Sequence, residues 1–150
     1  MAHTYANLLY HFVFSTRQRV PWINDALRDP LYDYIGGIVR QNGGALLEIG
    51  GVPDHVHILA RLKSDPSVAT VIQRIKGKSS KWVNDCGLVP EGFRWQQGYG
   101  AFSVSESGKE KVRRYVRNQE RHHSKVTFLD ELITLLERHH IPYKLEDLLD

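Results

Sequence analysis

Pro53-Asp54-His55-Val56-His57-Ile58-Leu59 is the stretch from which the fold can be read. Two histidines flank one valine, and Ile58-Leu59-Ala60 continues as an apolar run. Successive side chains of a strand point to opposite faces. His55 and His57 therefore share one face, while Val56 and Ile58 point the other way, into a core. Ala45–Gly50 reads as a second short strand and Gly51-Val52-Pro53-Asp54 as a turn, so the pattern predicts a hairpin that runs on to Leu62. Two imidazoles then stand side by side on an ordered element, and neutral imidazole is a common metal ligand. Alone, a strand-borne His-X-His is also compatible with a hydrogen-bonded face, because short motifs recur by chance.

Outward from the hairpin, Asn7–Ser15 is rich in aromatic and branched residues and reads as a central strand covered on both faces. His11 lies within it and is read as a satisfied face or core histidine rather than a ligand. Asn24–Asn42 carries Leu27, Leu31, Tyr34, Ile35, Ile38 and Val39 at helical spacing, with Asn24 or Asp25 as cap. A second helix is predicted from Asp65 as cap and Pro66 as first helical residue, with Val68, Val71, Ile72, Ile75 and Trp82 buried. Phe93–Ser105 reads as a strand interrupted by Gly98 and Gly100. Its Trp95 and Tyr99 are candidates for stacking on bases, and Phe102 for the core. A third helix is predicted from Ser107, capped in a box with Glu110, to about His123, and a fourth over Phe128–His140. Strand, helix, strand, strand, helix, strand is the ferredoxin-like βαββαβ order. The expected class is α+β: one antiparallel sheet with helices on one face, plus C-terminal helices, in a single domain spanning residues 1–150.

Composition narrows the partners. The chain has 150 residues, a net charge of +3 and one cysteine, Cys86, so an internal disulfide is excluded. The N-terminus lacks the pattern of a signal peptide, and no apolar run approaches a membrane span. A reducing, cytoplasmic setting is expected. The positive charge concentrates on two helices. Arg74, Lys76, Lys78 and Lys81 stand on the second with no acid between Pro66 and Asn84. Lys111 and Arg114 belong to a similar run on the third. One-signed helix faces of this kind meet phosphates, so these six residues are the candidate DNA contacts.

Tyr115 and Gln119, four residues apart on the third helix, share a face. A phenol has a pKa near 10 and needs activation before it can attack. A glutamine carbonyl is a neutral oxygen ligand for a hard cation. With the histidine pair, this pattern resembles the single-tyrosine HUH transposases of the bacterial insertion sequence 200/605 group. The likeness runs through Tyr10-His11-Phe12-Val13-Phe14-Ser15-Thr16, the Pro53–His57 motif, Ile75-Lys76-Gly77-Lys78-Ser79-Ser80, Gly98-Tyr99-Gly100-Ala101-Phe102-Ser103 and Tyr115-Val116-Arg117-Asn118-Gln119.

The resemblance implies a bacterial, nucleoid-associated enzyme. His55, His57 and Gln119 would hold Mg²⁺ or Mn²⁺. Tyr115 would cleave and rejoin single-stranded DNA through a 5′-phosphotyrosine link. The substrates would be hairpins at the ends of a mobile element, or dispersed palindromic repeats for a domesticated relative. It also implies a homodimer whose tyrosine helix completes the partner's site, and Gly108 supplies a hinge for such an exchange. Two other classes stay open. A non-catalytic ferredoxin-like binder of single-stranded nucleic acid would carry an aromatic run on a central strand, which is absent. A histidine phosphoesterase would need a third histidine, whereas Ile58-Leu59-Ala60 follows His57. Covalent trapping on hairpin DNA separates them, since only the transposase forms an adduct.

Overall fold

A computed structural model describes residues 3–148. Four strands, β1 (Leu8–Ser15), β2 (Ala45–Val52), β3 (His55–Leu62) and β4 (Gly100–Val104), form one sheet in the order β2-β3-β1-β4. Every neighbouring pair is antiparallel. The chain reaches β2 from β1 through α1 (Asp25–Gln41) and β4 from β3 through α2 (Val68–Asp85). This is the expected ferredoxin-like order, with β1 and β3 at its centre.

The alternation read from the hairpin holds in both central strands. Phe12 and Phe14 of β1, with Val56, Ile58, Ala60 and Leu62 of β3, enter a core with Leu27, Leu31 and Ile35 of α1 and Val71, Ile72 and Ile75 of α2. Burying each such large side chain contributes roughly 1.5–3 kcal/mol. The other face is also covered. Val13 and Phe102 pack there against Phe128, Leu132, Leu135 and Leu136 of a C-terminal helix, α5 (Phe128–Arg138). The first strand is thus buried on both sides, as its continuous apolarity predicts.

Element ends differ from the sequence reading in several places. Asn24 caps α1 by accepting from the Leu27 amide, as expected. The cap of α2 is Ser67, not Asp65: its hydroxyl accepts from the Thr70 amide and the helix begins at Val68. The expected strand over 93–105 shrinks to β4. Trp95 makes only an isolated bridge to Thr16, and its indole is buried, donating to Ser79 Oγ at 2.9 Å, so it is a core residue rather than a base-stacking one. Ser107 does not cap the third helix. Ser105 accepts from the Gly108 amide and opens a short 3-10 turn over 106–108, from which α3 (Lys109–Arg117) starts. That helix stops at Asn118, whose φ of −96° and ψ of 26° leave the helical range, and α4 (Gln119–His123) follows. A last short helix, α6 (Leu145–Leu148), occupies the acidic end of the chain; residues 149–150 of that segment lie outside the described residues. Among the described residues, no helix is long and apolar enough to cross a membrane.

Candidate active site

The hairpin delivers the two histidines as the strand period requires. His57 lies opposite Gly50 in β2 and Val13 in β1, and His55 opposite Val52 and Ser15. Both side chains are fully buried. They point away from the α1–α2 core, into the layer beneath α3, α4 and α5.

Four further side chains meet them. His11, two residues from Val13 on the same face of β1, sets its Nε2 2.8 Å from Nδ1 of His57. It is therefore a satisfied histidine, as expected, but the group that satisfies it is the motif itself. Glu131 comes from α5, 2% exposed within an otherwise apolar stripe. The Nε2 atoms of His57, His123 and His55 lie 2.8, 2.9 and 3.4 Å from one oxygen, Oε1 of Glu131. Donor atoms of His55, His57, His123 and Glu131 all fall within 4.8 Å of one another. Tyr115 completes the group. Its hydroxyl donates to Oε2 of Glu131, and its ring meets those of His57 and His11 edge-on, with centroids 5.6 and 5.9 Å away.

Gln119 is buried, and its side-chain amide donates to the Tyr115 carbonyl at 3.1 Å. Among the described residues its Oε1 has no hydrogen-bond partner, and neither has Nε2 of His55. A buried acceptor left unpaired carries a penalty of about 1–3 kcal/mol. Such atoms fit a divalent metal ion, which needs donors of this kind, and the His55–His57–His123–Glu131 cluster can hold one.

Burial dominates the electrostatics. It pushes His57 down to about 4, against the pull of Glu131, and His11 down to about 3, with His57 adding to the effect. For His55 burial also opposes the charged form, but Asp54 and Glu131 outweigh it and hold its pKa above the ordinary value. Burial would raise Glu131; the imidazoles of His123, His55 and His57 around it reverse this and keep the carboxyl well below the usual range. Tyr115 is pushed well up, first by burial and then by Glu131 beside it. The phenol is thus protonated, with a carboxylate already at its hydroxyl.

The packing of α3 places Tyr115. A side chain on Gly50 of β2 would put its Cβ 2.0 Å from the Val116 carbonyl oxygen. Only a glycine lets the helix backbone come this close. Arg113 and Arg117 pin the same helix to β2 through Glu48, at 3.3 and 2.9 Å, and Arg113 also donates to the Leu47 carbonyl.

These contacts bring Tyr115 and the histidines together within one chain. A model of the family described as "Transposase IS200 like" matches residues 4–119. The chain belongs to the IS200-like transposase family. It is 26% identical over 117 residues to the ISDra2 transposase TnpA of Deinococcus radiodurans, covering 75% of this chain and 84% of that one. Identity to the transposase for insertion sequence element IS200 of Salmonella typhimurium is also 26%, over 124 residues, with 79% and 81% covered. A crystal structure of a transposase candidate from Deinococcus radiodurans R1 aligns with a TM-score of 0.63 at 26% identity, over 79% of this chain and 96% of that one. The fold is shared too with a REP-associated tyrosine transposase bound to a REP hairpin, at a TM-score of 0.54 and 18% identity, over 77% and 67%.

Within this IS200-like chain the predicted DNA contacts separate into groups. Lys78, Lys111 and Arg114 are exposed. Arg74 is exposed and donates to Asn42. Lys81 pairs with Asp85 at 2.6 Å. Lys76 is turned inward: its ammonium donates to the carbonyls of Gln96 and Gly98, and burial lowers its pKa to about 8. The whole of α2 lies on the sheet face opposite Tyr115. His123 and Glu131 were missed by reading the sequence. The available signal was a carboxylate three residues after Phe128 and one before Leu132, inside an apolar stripe.

Proposed function

We propose that this chain is a metal-dependent transposase that cleaves and rejoins single-stranded DNA, with Tyr115 as nucleophile and residues 1–150 acting as one domain in the bacterial cytoplasm, at the nucleoid. The observation that carries the reading is the placement of the Tyr115 hydroxyl: hydrogen-bonded to Glu131, with its ring against His57, in a member of this family. His55, His57 and Gln119 would hold Mg²⁺ or Mn²⁺, and a dication supplies Lewis-acid polarisation of a phosphate oxygen.

The protein's own groups account for the rest. The Tyr115 oxygen attacks phosphorus and its proton passes to the Glu131 carboxylate that already accepts it. The bond from phosphorus to the 3′-oxygen breaks, leaving a 5′-phosphotyrosine and a 3′-oxygen that takes up a proton. Rejoining is the reverse displacement by a 3′-hydroxyl. Lys78, Lys111, Arg114 and Arg74 are the proposed phosphate contacts, with Lys76 and Lys81 contributing less because they already have partners. The proposed substrates are hairpins, at the ends of a mobile element or in dispersed palindromic repeats.

A homodimer with shared sites belongs to the same proposal. Exchange of α3 between two copies through the hinge at 105–108 would preserve every contact described above, since the swapped helix meets an identical β2 surface. Mixing His57→Ala with Tyr115→Phe should then restore about a quarter of the cleavage after free subunit exchange, because half of the dimers are mixed and each holds one intact site of two. No recovery with proven exchange places each site within one chain.

The central test is covalent trapping. Labelled hairpins taken from palindromes flanking the gene, with Mn²⁺, should yield an adduct stable in denaturing gels with the wild type and none with Tyr115→Phe, which should still bind. An adduct with the phenylalanine variant, or undiminished cleavage in excess chelator, would overturn the assignment.

A further inference from the structure

Two of the four clustered donors lie outside the HUH motif. His123 and Glu131 both stand beyond residue 119, where the match to the family model ends. What they do can be read from where the ring hydrogens must be. His123 Nδ1 is 2.6 Å from the Val126 carbonyl oxygen. A carbonyl only accepts, so that nitrogen carries the hydrogen. With that single hydrogen on the ring, Nε2 would aim a lone pair at Oε1 of Glu131, 2.9 Å away. His55 repeats the arrangement. Its Nδ1 donates to Asp54 at 2.7 Å, and its Nε2, with no hydrogen-bond partner among the described residues, faces the same glutamate oxygen at 3.4 Å.

Lone pairs and a carboxylate oxygen converging on one buried point repel one another unless positive charge sits among them. Rings whose Nδ1 donates to a carboxylate or carbonyl, and whose Nε2 atoms share a focus, have the outer-shell pattern of metal-ligating histidines. His57 conforms as well. With its hydrogen on Nδ1 it donates to Nε2 of His11, 2.8 Å away, and frees its own Nε2.

We propose that His123 and Glu131 join His55 and His57 in a three-imidazole, one-carboxylate site for a transition-metal dication, so that this chain favours Mn²⁺-, Co²⁺- or Zn²⁺-type ions over Mg²⁺. The proposal rests on the metal reading above and narrows it. Imidazole suits Zn²⁺ and its neighbours, whereas Mg²⁺ keeps oxygen ligands and several waters. Oε1 of Glu131 faces the ring nitrogens while Oε2 holds the Tyr115 hydroxyl. One carboxylate therefore joins the ion to the nucleophile. Gln119 remains an additional oxygen donor.

The test reads binding directly. Titration calorimetry of the full chain with Mn²⁺ and with Mg²⁺ should show at least a tenfold preference for Mn²⁺. Glu131→Gln and His123→Gln should each weaken Mn²⁺ by about tenfold or more, the scale of losing a contributor to such a site. ¹⁵N-histidine spectra of the wild type with Zn²⁺ need no variant to fold, and should show three rings ligated through Nε2 with hydrogen on Nδ1. Two ligated rings, or Mn²⁺ affinity unchanged in both variants while His57→Ala loses it, would overturn this donor set and leave the HUH-motif metal reading standing. Binding that survives in His57→Ala as well would overturn both.

Discussion

The two faces of the sheet are built from the same strands and do opposite work. On one, Phe12, Phe14, Val56 and Ile58 meet α1 and α2 in a continuous apolar core. On the other, one residue out of step along the same strands, His11, His55 and His57 meet Glu131, His123 and Tyr115, flanked by the smaller cluster around Val13 and Phe102. A single strand register fixes both. The apolar face provides the stability that lets the polar face hold unpaired acceptors and crowded rings, and separating fold from chemistry by strand parity means that one can be damaged without the other.

The largest expected contrast tests that separation. Ile58→Ala should cost about 2–5 kcal/mol in urea unfolding, yet adduct formation per folded molecule should persist. Tyr115→Phe should abolish the adduct while changing stability by less than about 2 kcal/mol. If Ile58→Ala removes chemistry in proportion to nothing but folded fraction, the faces are independent; a larger loss would show that they are coupled.

Gly50 sharpens the comparison because it joins strand to α3. Gly50→Ala forces a carbon into the Val116 carbonyl and should displace Tyr115, lowering adduct yield by about a hundredfold, the scale of a displacement of about 1 Å in a reacting group. Gly77→Ala in α2, where the added carbon meets nothing within 4 Å, should leave activity intact and raise stability by about 0.5–1 kcal/mol.

A smaller effect comes from Lys76, on the core side. Its folded pKa of about 8 lies below the ordinary 10.5 because of burial. Between those values the unfolded chain holds a proton that the folded chain has released, so stability should rise with pH across that window and not below it. Lys76→Met should flatten the rise in urea midpoint between pH 8 and 10.5; an identical rise in the variant would assign it to other groups. The smallest effect is expected at Lys78. Replacing this exposed lysine by alanine should reduce the salt slope of hairpin binding by about 0.7, one phosphate contact on a single strand.

What could be read beforehand follows from the range of the forces involved. The histidine pair, the hairpin and the helical stripes are local patterns, and their periods of 2 and 3.6 residues assign faces directly. Tyr115 and Gln119 were legible as a spaced pair, but not the break at Asn118 between them, which ends α3 and starts a new helix at Gln119. Ser67 prevailed over Asp65 as cap because its hydroxyl is the one that reaches the Thr70 amide. Glu131 illustrates the harder limit. Its meaning depends on α5 crossing the sheet face 74 positions away from His57, and no local pattern encodes that pairing. The inward turn of Lys76 was illegible for a related reason: a basic helix face suggests phosphates, and the sequence does not reveal that the carbonyls of Gln96 and Gly98 accept from this one ammonium.

The position of Glu131 on α5 has a consequence for how the molecule comes into being. Chains are synthesised from the N-terminus and fold as they emerge. The sheet, His55, His57 and α3 all precede residue 119, while Glu131, the carboxylate proposed to join ion and Tyr115, arrives afterwards. On the proposed mechanism a nascent chain would carry Tyr115 before it carries a finished site, and would remain inert beside the nucleic acid of its own translation machinery until about the last fifth of the chain is released. Ribosome-bound chains stalled with residue 131 still in the exit tunnel should form no adduct with added hairpin DNA, whereas chains stalled behind a long C-terminal linker should.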